Sequence, residues 1–209
     1  MNNKNALARA LSLLQPFHSP QTSLEQYQTS SEIAASVLWL AHLHKDLHHK
    51  VGADLGCGTG IFGLGALLLG AKLVHFVDID PAALASAQAN QALLEKAFGK
   101  KLPSHFHRMP LAAFTTPVDV VIQNPPFGVQ KSHADRAFLL KAMEISSTVY
   151  SLHKIESAAF IAHLVQQHGF QVDQVVSLPF PLKKTLFFHR KKTYYVDVGV
   201  WRIVKKRKP

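Results

Sequence analysis

A short apolar segment of this 209-residue chain runs directly into a glycine-rich turn and then into a helical segment. The apolar segment is Val51–Leu55, the glycines are Gly56, Gly58 and Gly60, and the predicted helix covers about 60–69. A glycine-rich turn between a strand and a helix lets the backbone approach a nucleotide-bearing ligand closely. The segment therefore predicts the first strand and helix of an α/β fold, with a ligand site at the turn.

Short apolar runs continue to alternate with helical stretches beyond this turn, which is typical of βαβ units and a mainly parallel sheet. We expect one doubly wound, Rossmann-like α/β domain over residues 1–209, with N-terminal helices and a cofactor-closing segment in 1–50 and the core in 51–209. The last two of seven strands leave no room for a helix between them, so we expect an antiparallel pair at the sheet edge, with one antiparallel edge strand. The predicted strands lie near 51–55, 73–78, 104–108, 118–123, 147–152, 170–176 and 194–203. The predicted helices lie near 6–14, from 29–31 to about 50, and near 60–69, 81–97, 134–145 and 155–168.

Composition excludes several classes of protein and favours a polyanionic partner. Hydrophobic residues make up 47% and charged residues 17%, as in a globular protein and unlike a disordered or fibrous chain. Lys and Arg number 23 against 13 Asp and Glu, and the formal net charge of +10 favours a polyanion such as a nucleic acid. The single cysteine, Cys57, excludes an intrachain disulfide and a cysteine-rich zinc site. No apolar run approaches the ~20 residues of a membrane span and no signal peptide is evident, so we expect a cytoplasmic protein.

Two pairs of histidines have spacings that could suit a metal ion, and both have a simpler interpretation. His44 and His48 are four residues apart in the predicted second helix, where a solvated helix face is favoured. His105 and His107 alternate along the predicted third strand, which is typical of the face of an edge strand. We therefore predict no metal site in this chain.

Two carboxylates at strand ends indicate which ligand the glycine turn accepts. Asp54 ends the first strand, where it would repel a pyrophosphate and attract a cationic ammonium or sulfonium group. The third glycine of dinucleotide sites is also missing, so S-adenosylmethionine is favoured over NAD. Asp78 ends the second strand, where Rossmann-type folds place the carboxylate that binds ribose hydroxyls. Asp80, which precedes Pro81, is interpreted as a helix N-cap.

The segment Asn124–Phe127 ends an apolar strand and is the most informative in the chain. Asn-Pro-Pro-Phe can be simply a rigid turn. At the carboxyl edge of a sheet, however, a fixed amide oxygen, a proline carbonyl and an aromatic ring can hold a planar amino group. The Asn124 side chain and the Pro125 carbonyl would accept both amino hydrogens, directing the nitrogen lone pair towards a methyl sulfonium, while Phe127 stacks on the ring. We predict a catalytic segment of Asn124, Pro125, Pro126 and Phe127.

Taken together, these motifs resemble the amino methyltransferases that use S-adenosylmethionine and act on adenine N6, guanine N2 or release-factor glutamine. From about Leu24 to Val204, the chain resembles most closely the archaeal and eukaryotic small-subunit ribosomal RNA adenine-N6 methyltransferases of the methyltransferase-like (METTL) family. The resemblance implies a class I methyltransferase domain that makes N6-methyladenosine at one position of small-subunit ribosomal RNA. It also implies a heterodimer with a small zinc-binding activator protein. The segments that carry the resemblance are Leu24–Thr29, Asn124–Gly128, Tyr150–Lys154 and Phe188–Lys192.

The resemblance also implies site residues. Gln26 and Thr29 would close over the cofactor, Asp54 and the glycine turn would hold its methionine end, and Asp78 would hold its ribose. The implied cofactor-binding residues are Gln26, Thr29, Asp54, Gly56, Cys57, Gly58, Gly60, Asp78, Ile79 and Asn124. Charge clustering separately predicts phosphate contacts around an unstacked adenosine. The residues predicted to make them are Lys131, His153, Lys154, Lys183, Lys184, Arg190, Lys191 and Lys192.

The chain departs from the family pattern at two places. Gln28 stands where the family usually has proline, which is a small change in loop stiffness. Arg108-Met109-Pro110 stands where the third strand normally ends in an acid that binds the adenine amino group of the cofactor. Either backbone carbonyls take over that contact, or cofactor binding is weaker than in relatives, by about 1.5–3 kcal/mol for one lost charged hydrogen bond.

Two other functions remain open from the sequence. A planar glutamine amide presents the same donor geometry as adenine N6, so the chain could be a glutamine methyltransferase acting on a release factor. It could also be an inactive RNA-binding scaffold. The basic C-terminal strands favour RNA, and the presence of Asp54, Asp78 and Asn124 weighs against an inactive scaffold. The third strand is expected at a sheet edge, where a strand of a partner could add.

Overall fold

The computed structural model describes residues 1–17, 29–126, 134–183 and 193–206, with only the backbone of 134, 179–183 and 193–196. The described strands are β1 (Val51–Leu55), β2 (Leu73–Asp78), β3 (Ser104–Arg108), β4 (Val120–Gln123), β5 (Thr148–Lys154), β6 (Phe170–Lys183) and β7 (Thr193–Lys205). They form one sheet in the order β3-β2-β1-β4-β5-β7-β6. The predicted seven-stranded, mainly parallel sheet is therefore confirmed.

The C-terminal strands form the predicted antiparallel pair at one edge of this sheet. β7 runs antiparallel to both neighbours, β5 and β6. The antiparallel strand is thus one position inside the edge, and the edge strand β6 runs parallel to β5. Both strands are longer than predicted, because their pairing continues as far as Lys183 in β6 and Thr193 in β7. At the opposite edge lies β3, as predicted.

Helices cover both faces of the sheet and produce two apolar clusters. One cluster contains Leu38, Leu64 and Phe76, and the other contains Val121 and Leu139. None of the described helices is long and apolar enough to cross a bilayer. The described α-helices are α1 (Lys4–Leu11), α2 (Ser31–Leu43), α3 (Ile61–Leu68), α4 (Pro81–Phe98), α5 (Ala134–Ile145) and α6 (Ala158–Gln167).

Helix α2 begins as predicted but ends earlier. The Ser30 hydroxyl accepts a hydrogen bond from the Ile33 amide, as an N-cap does. The helix stops at Leu43, and Lys45 has a φ of 60°, so the predicted continuation to about residue 50 is wrong. A side chain just beyond the helix explains the turn, because Asp46 is hydrogen-bonded to Tyr150 and Arg202 of the sheet. His44 and His48 consequently share no helix face.

Candidate active site

Three loops that carry predicted site residues meet at the carboxyl edge of the parallel strands. β1 lies between β2 and β4, and the order of the strands along the chain reverses at this point. Such a switch point opens a crevice beyond the strand ends, where α/β proteins bind their ligands. The glycine turn, Asp78 and Asn124 follow β1, β2 and β4 directly.

The glycine turn is folded tightly against the end of β2. The amides of Gly56 and Cys57 both donate to the Val77 carbonyl, at 2.8 and 3.1 Å. Gly58 has a φ of 52°, and a Cβ there would lie 2.8 Å from the Phe17 ring. A larger residue at position 58 would therefore require movement of the backbone or of Phe17. The Cys57 thiol is buried, and burial raises its pKa, so this cysteine is a neutral packing residue.

Asp78 is held at the end of β2 by hydrogen bonds from two backbone amides. Its Oδ2 accepts from the Gly58 amide at 2.9 Å and its Oδ1 from the Asp80 amide at 3.0 Å. Burial raises the pKa of Asp78, and these two backbone donors lower it. Because a carboxylate has about four acceptor positions, further hydrogen bonds from a ligand diol can be accepted. The adjacent Ile79 is 57% exposed, so it offers an apolar surface next to this carboxylate.

Asp80 has the structural role predicted for it. Its carboxylate accepts a hydrogen bond from the Ala82 amide at 2.9 Å, and Pro81 is the first residue of α4. The N-cap interpretation is confirmed. The two neighbouring acids thus differ in role: Asp78 binds the glycine turn and Asp80 begins a helix.

Asp54 is held in the interior beneath the glycine turn. Its side chain is 1% exposed, and its Oδ2 accepts from the Gly63 amide in the first turn of α3 at 2.8 Å. Burial raises its pKa to about 8, against the opposing effect of the Gly63 hydrogen bond. This carboxyl therefore ties β1 to α3. Its attraction for a cationic ligand stays a prediction.

Asn124 presents an unsatisfied acceptor at the end of β4. Its Nδ2 donates to the Thr29 hydroxyl at 3.1 Å, which fixes the orientation of the amide. Its Oδ1 is buried and has no hydrogen-bond partner among the described residues. A buried acceptor without a partner costs about 1–3 kcal/mol. A hydrogen bond from a ligand donor to this oxygen stays a prediction. Pro125 is buried and Pro126 half-buried beside it.

A chain of buried polar groups next to Asn124 was missed by sequence reasoning. Gln123 donates to the Ser151 hydroxyl at 3.0 Å, and this hydroxyl lies 2.7 Å from Nε2 of His153. His153 Nδ1 lies 3.9 Å from a carboxylate oxygen of Asp135. The signal that could have revealed this chain of polar groups is the pairing of β4 with β5, which places Gln123 opposite Ser151. The polar chain supports the strand from which Asn124 projects.

His153 cannot make the phosphate contact that charge clustering predicted. The residue is 1% exposed, and burial lowers its pKa to about 3. A buried neutral imidazole neither reaches nor attracts a phosphate, so this prediction is wrong. The physical reason is that β5 is an inner strand of the sheet and is buried on both faces, which the clustering of charges along the sequence did not reveal.

Acid should destabilise the protein through His153. Its pKa is about 3 in the folded chain and about 6.5 when unfolded, so its stabilising contribution is present above about pH 6.5 and is lost as pH falls towards 3. We expect His153→Gln to make the fall in unfolding free energy between pH 7 and pH 5 shallower, by up to about 1.4 kcal/mol per pH unit. Denaturant titrations at several pH values measure this slope. The exposed His163 provides the matched control, His163→Gln, and equal slopes in H153Q and wild type would contradict the expectation.

The structure describes only some of the other residues predicted to contact phosphates. Lys154 ends β5, with its Nζ 3.3 Å from a Glu156 oxygen and its side chain 33% exposed, and its phosphate contact stays a prediction. Lys183 ends β6, and its side chain lies outside the described residues. Predicted site residues that lie entirely outside the described residues are Gln26, Phe127, Lys131, Lys184, Arg190, Lys191 and Lys192.

The strand order and the ligand crevice at the switch point define a class I, S-adenosylmethionine-dependent methyltransferase fold. The family model that describes the methyltransferase small domain matches residues 31–145, and the chain belongs to this family. It is therefore a methyltransferase, and it is related to the METTL5 enzymes.

Similar proteins come from archaea and animals. A solved structure of a candidate RNA methyltransferase from Pyrococcus horikoshii is 43% identical, covers 98% of both chains and has a TM-score of 0.87. An uncharacterized protein of Methanocaldococcus jannaschii is 34% identical over 98% of this chain and 95% of its own. The rRNA N(6)-adenosine-methyltransferase METTL5 of Danio rerio is 32% identical over 94% of this chain and 96% of its own. The similarity thus extends over nearly the whole chain.

Proposed function

We propose that this chain methylates the N6 amino group of an adenosine in small-subunit ribosomal RNA, with S-adenosylmethionine as methyl donor. The observation that carries the proposal is the buried Oδ1 of Asn124 at the end of β4, which has no hydrogen-bond partner within the described ranges. An exocyclic amino group is a planar donor that would satisfy this oxygen. The name of the METTL5 relative supports an adenosine of ribosomal RNA, and the net charge of +10 supports a polyanionic substrate.

The residues present fit S-adenosylmethionine. Asp78 retains acceptor capacity for ribose hydroxyls, Ile79 offers an apolar surface for the adenine, and the glycine turn allows close approach to the backbone. When bound, this cofactor supplies an electrophilic methyl group on a cationic sulfur. Met109 follows β3 at the position where the family has an acid, so we expect weaker recognition of the cofactor's adenine than in relatives.

Catalysis in this site would depend on positioning. The Asn124 oxygen and the Pro125 carbonyl would accept the two hydrogens of the amino group and so fix its plane. Its lone pair would then point towards the methyl group, and such alignment can supply about 7–11 kcal/mol. The nitrogen becomes acidic once it is methylated and loses its surplus proton to water, so no strong base is required of the protein.

We also propose that a small zinc-binding activator protein binds this chain along the outer edge of β3. The family resemblance supports this partner, and β3 offers the open strand edge to which another strand can add. Strand addition would leave the carboxyl edge of the sheet, where the crevice lies, open to RNA.

Methyl transfer from labelled S-adenosylmethionine tests the proposed function. The chain is incubated with small-subunit ribosomal RNA or with release factor, each with and without the activator, and the product is digested and identified. We expect label in N6-methyladenosine at one position of the RNA, with more label when the activator is present.

Two results would contradict the proposal. Label only on release-factor glutamine would assign the site to protein methylation. Binding of S-adenosylmethionine with no label on either substrate, even with the activator, would indicate that the site does not methylate these substrates.

A further inference from the structure

Three histidines form a cluster where β2 meets the edge strand β3. His75 lies in β2, directly paired with His105 of β3, and His107 lies two residues further along. All three side chains project from the same face of the sheet, because they occupy alternate strand positions in register. Each offers one ring nitrogen, and these three nitrogens lie within 4.8 Å of one another.

The spacing of these nitrogens is close to that of metal ligands. Zinc binds imidazole nitrogen at about 2.0–2.1 Å, so two ligands of a tetrahedral ion lie about 3.4 Å apart. In the structure, Nδ1 of His75 and Nε2 of His107 are 2.9 Å apart and share a hydrogen bond, which a bound ion would replace. Small rotations of the side chains would therefore bring all three nitrogens to a common ion.

The cluster is apolar on one side and open to solvent on the other. His75 is 7% exposed, and the Phe114 ring lies 5.7 Å from the His75 ring and 5.2 Å from the His107 ring. His105 is exposed, which gives an ion access from solvent.

We propose that His75, His105 and His107 bind a divalent transition-metal ion of the zinc type, linking the edge strand β3 to β2. Three imidazoles suit Zn²⁺, Cu²⁺ or Ni²⁺ and leave a fourth position for water. The proposal does not depend on the proposed function. His75 was missed in the sequence because only strand pairing brings it beside the other two.

Zinc titration of the full chain, produced without a polyhistidine tag and stripped with a chelator, tests this site. We expect one Zn²⁺ per chain by calorimetry and a higher melting temperature in its presence. His105→Gln changes an exposed side chain and should preserve the fold while weakening zinc binding at least ~10-fold, since even loss of an outer-shell partner has an effect of that size. His107→Gln should do the same.

The chain contains 13 histidines, so a variant that replaces histidines outside the cluster serves as the control. The exposed neighbours His48 and His49 are replaced together in the double variant H48Q/H49N, since asparagine tolerates the positive φ of position 49. This variant should bind zinc as wild type does. Substitution with Co²⁺ should give a spectrum without thiolate charge-transfer bands, which would exclude Cys57. Absence of saturable binding, or binding unchanged in both H105Q and H107Q, would overturn the proposal.

Discussion

Replacing Asn124 with alanine is expected to reduce the rate of methyl transfer by about 100-fold or more while leaving S-adenosylmethionine binding within about 3-fold of wild type. The buried Oδ1 has no partner among the described residues, so its hydrogen bond would be made only with the target amino group. Loss of one such preorganised contact in a closed site typically reduces turnover about 10²–10³-fold. Single-turnover methylation and equilibrium cofactor binding separate the two effects.

Three further variants distinguish a positioning role from a structural one. Asn124→Asp keeps an acceptor oxygen, and its second oxygen can accept from the Thr29 hydroxyl, so it should retain more activity than N124A. Thr29→Val removes the acceptor that orients the Asn124 amide and should reduce the rate, whereas Thr29→Ser should not. A loss of cofactor binding in N124A as large as its loss of turnover would show that Asn124 serves the cofactor instead of the substrate.

The sequence was sufficient to predict those parts of the fold that depend on local patterns. Apolar runs and turn residues located all seven strands, because strand burial and glycine or proline at strand ends leave direct traces in the sequence. The end of α2 was not predictable in this way. Its termination depends on Asp46 binding Tyr150 and Arg202, which are more than a hundred residues away along the chain.

The parts of the site that the sequence did not predict arise from pairing between strands. Ser151 and Gln123 are ordinary polar residues until β4 and β5 are placed in register. His153 has the same side chain whether it faces solvent or the interior, so counting charges mistook a buried neutral group for a cation. His75 joins His105 only because β2 and β3 are neighbours. In each case the environment that determines the role of a side chain comes from a distant segment.

Replacing Asp78 with alanine is expected to weaken S-adenosylmethionine binding at least ~100-fold. Two effects add. Each hydrogen bond that the carboxylate accepts from a ribose hydroxyl contributes about 1.5–3 kcal/mol to the binding free energy, as hydrogen bonds to charged groups do. The same side chain also holds the Gly58 amide at 2.9 Å, so its removal frees the glycine turn. Calorimetric titration of the variant with the cofactor measures the loss.

A neighbouring acid supplies the matched control for this prediction. Asp80→Asn keeps the N-cap of α4, because asparagine and aspartate cap helices equally well, and it should bind the cofactor within about 3-fold of wild type. Asp78→Asn keeps one acceptor oxygen and should fall between D78A and wild type. If D78A and D80N weakened binding equally, the effect would come from the shared loop after β2 and not from the ribose-binding carboxylate. Equal affinity in D78A and wild type would place the ribose elsewhere, and the interpretation of the crevice at the switch point would fail with it.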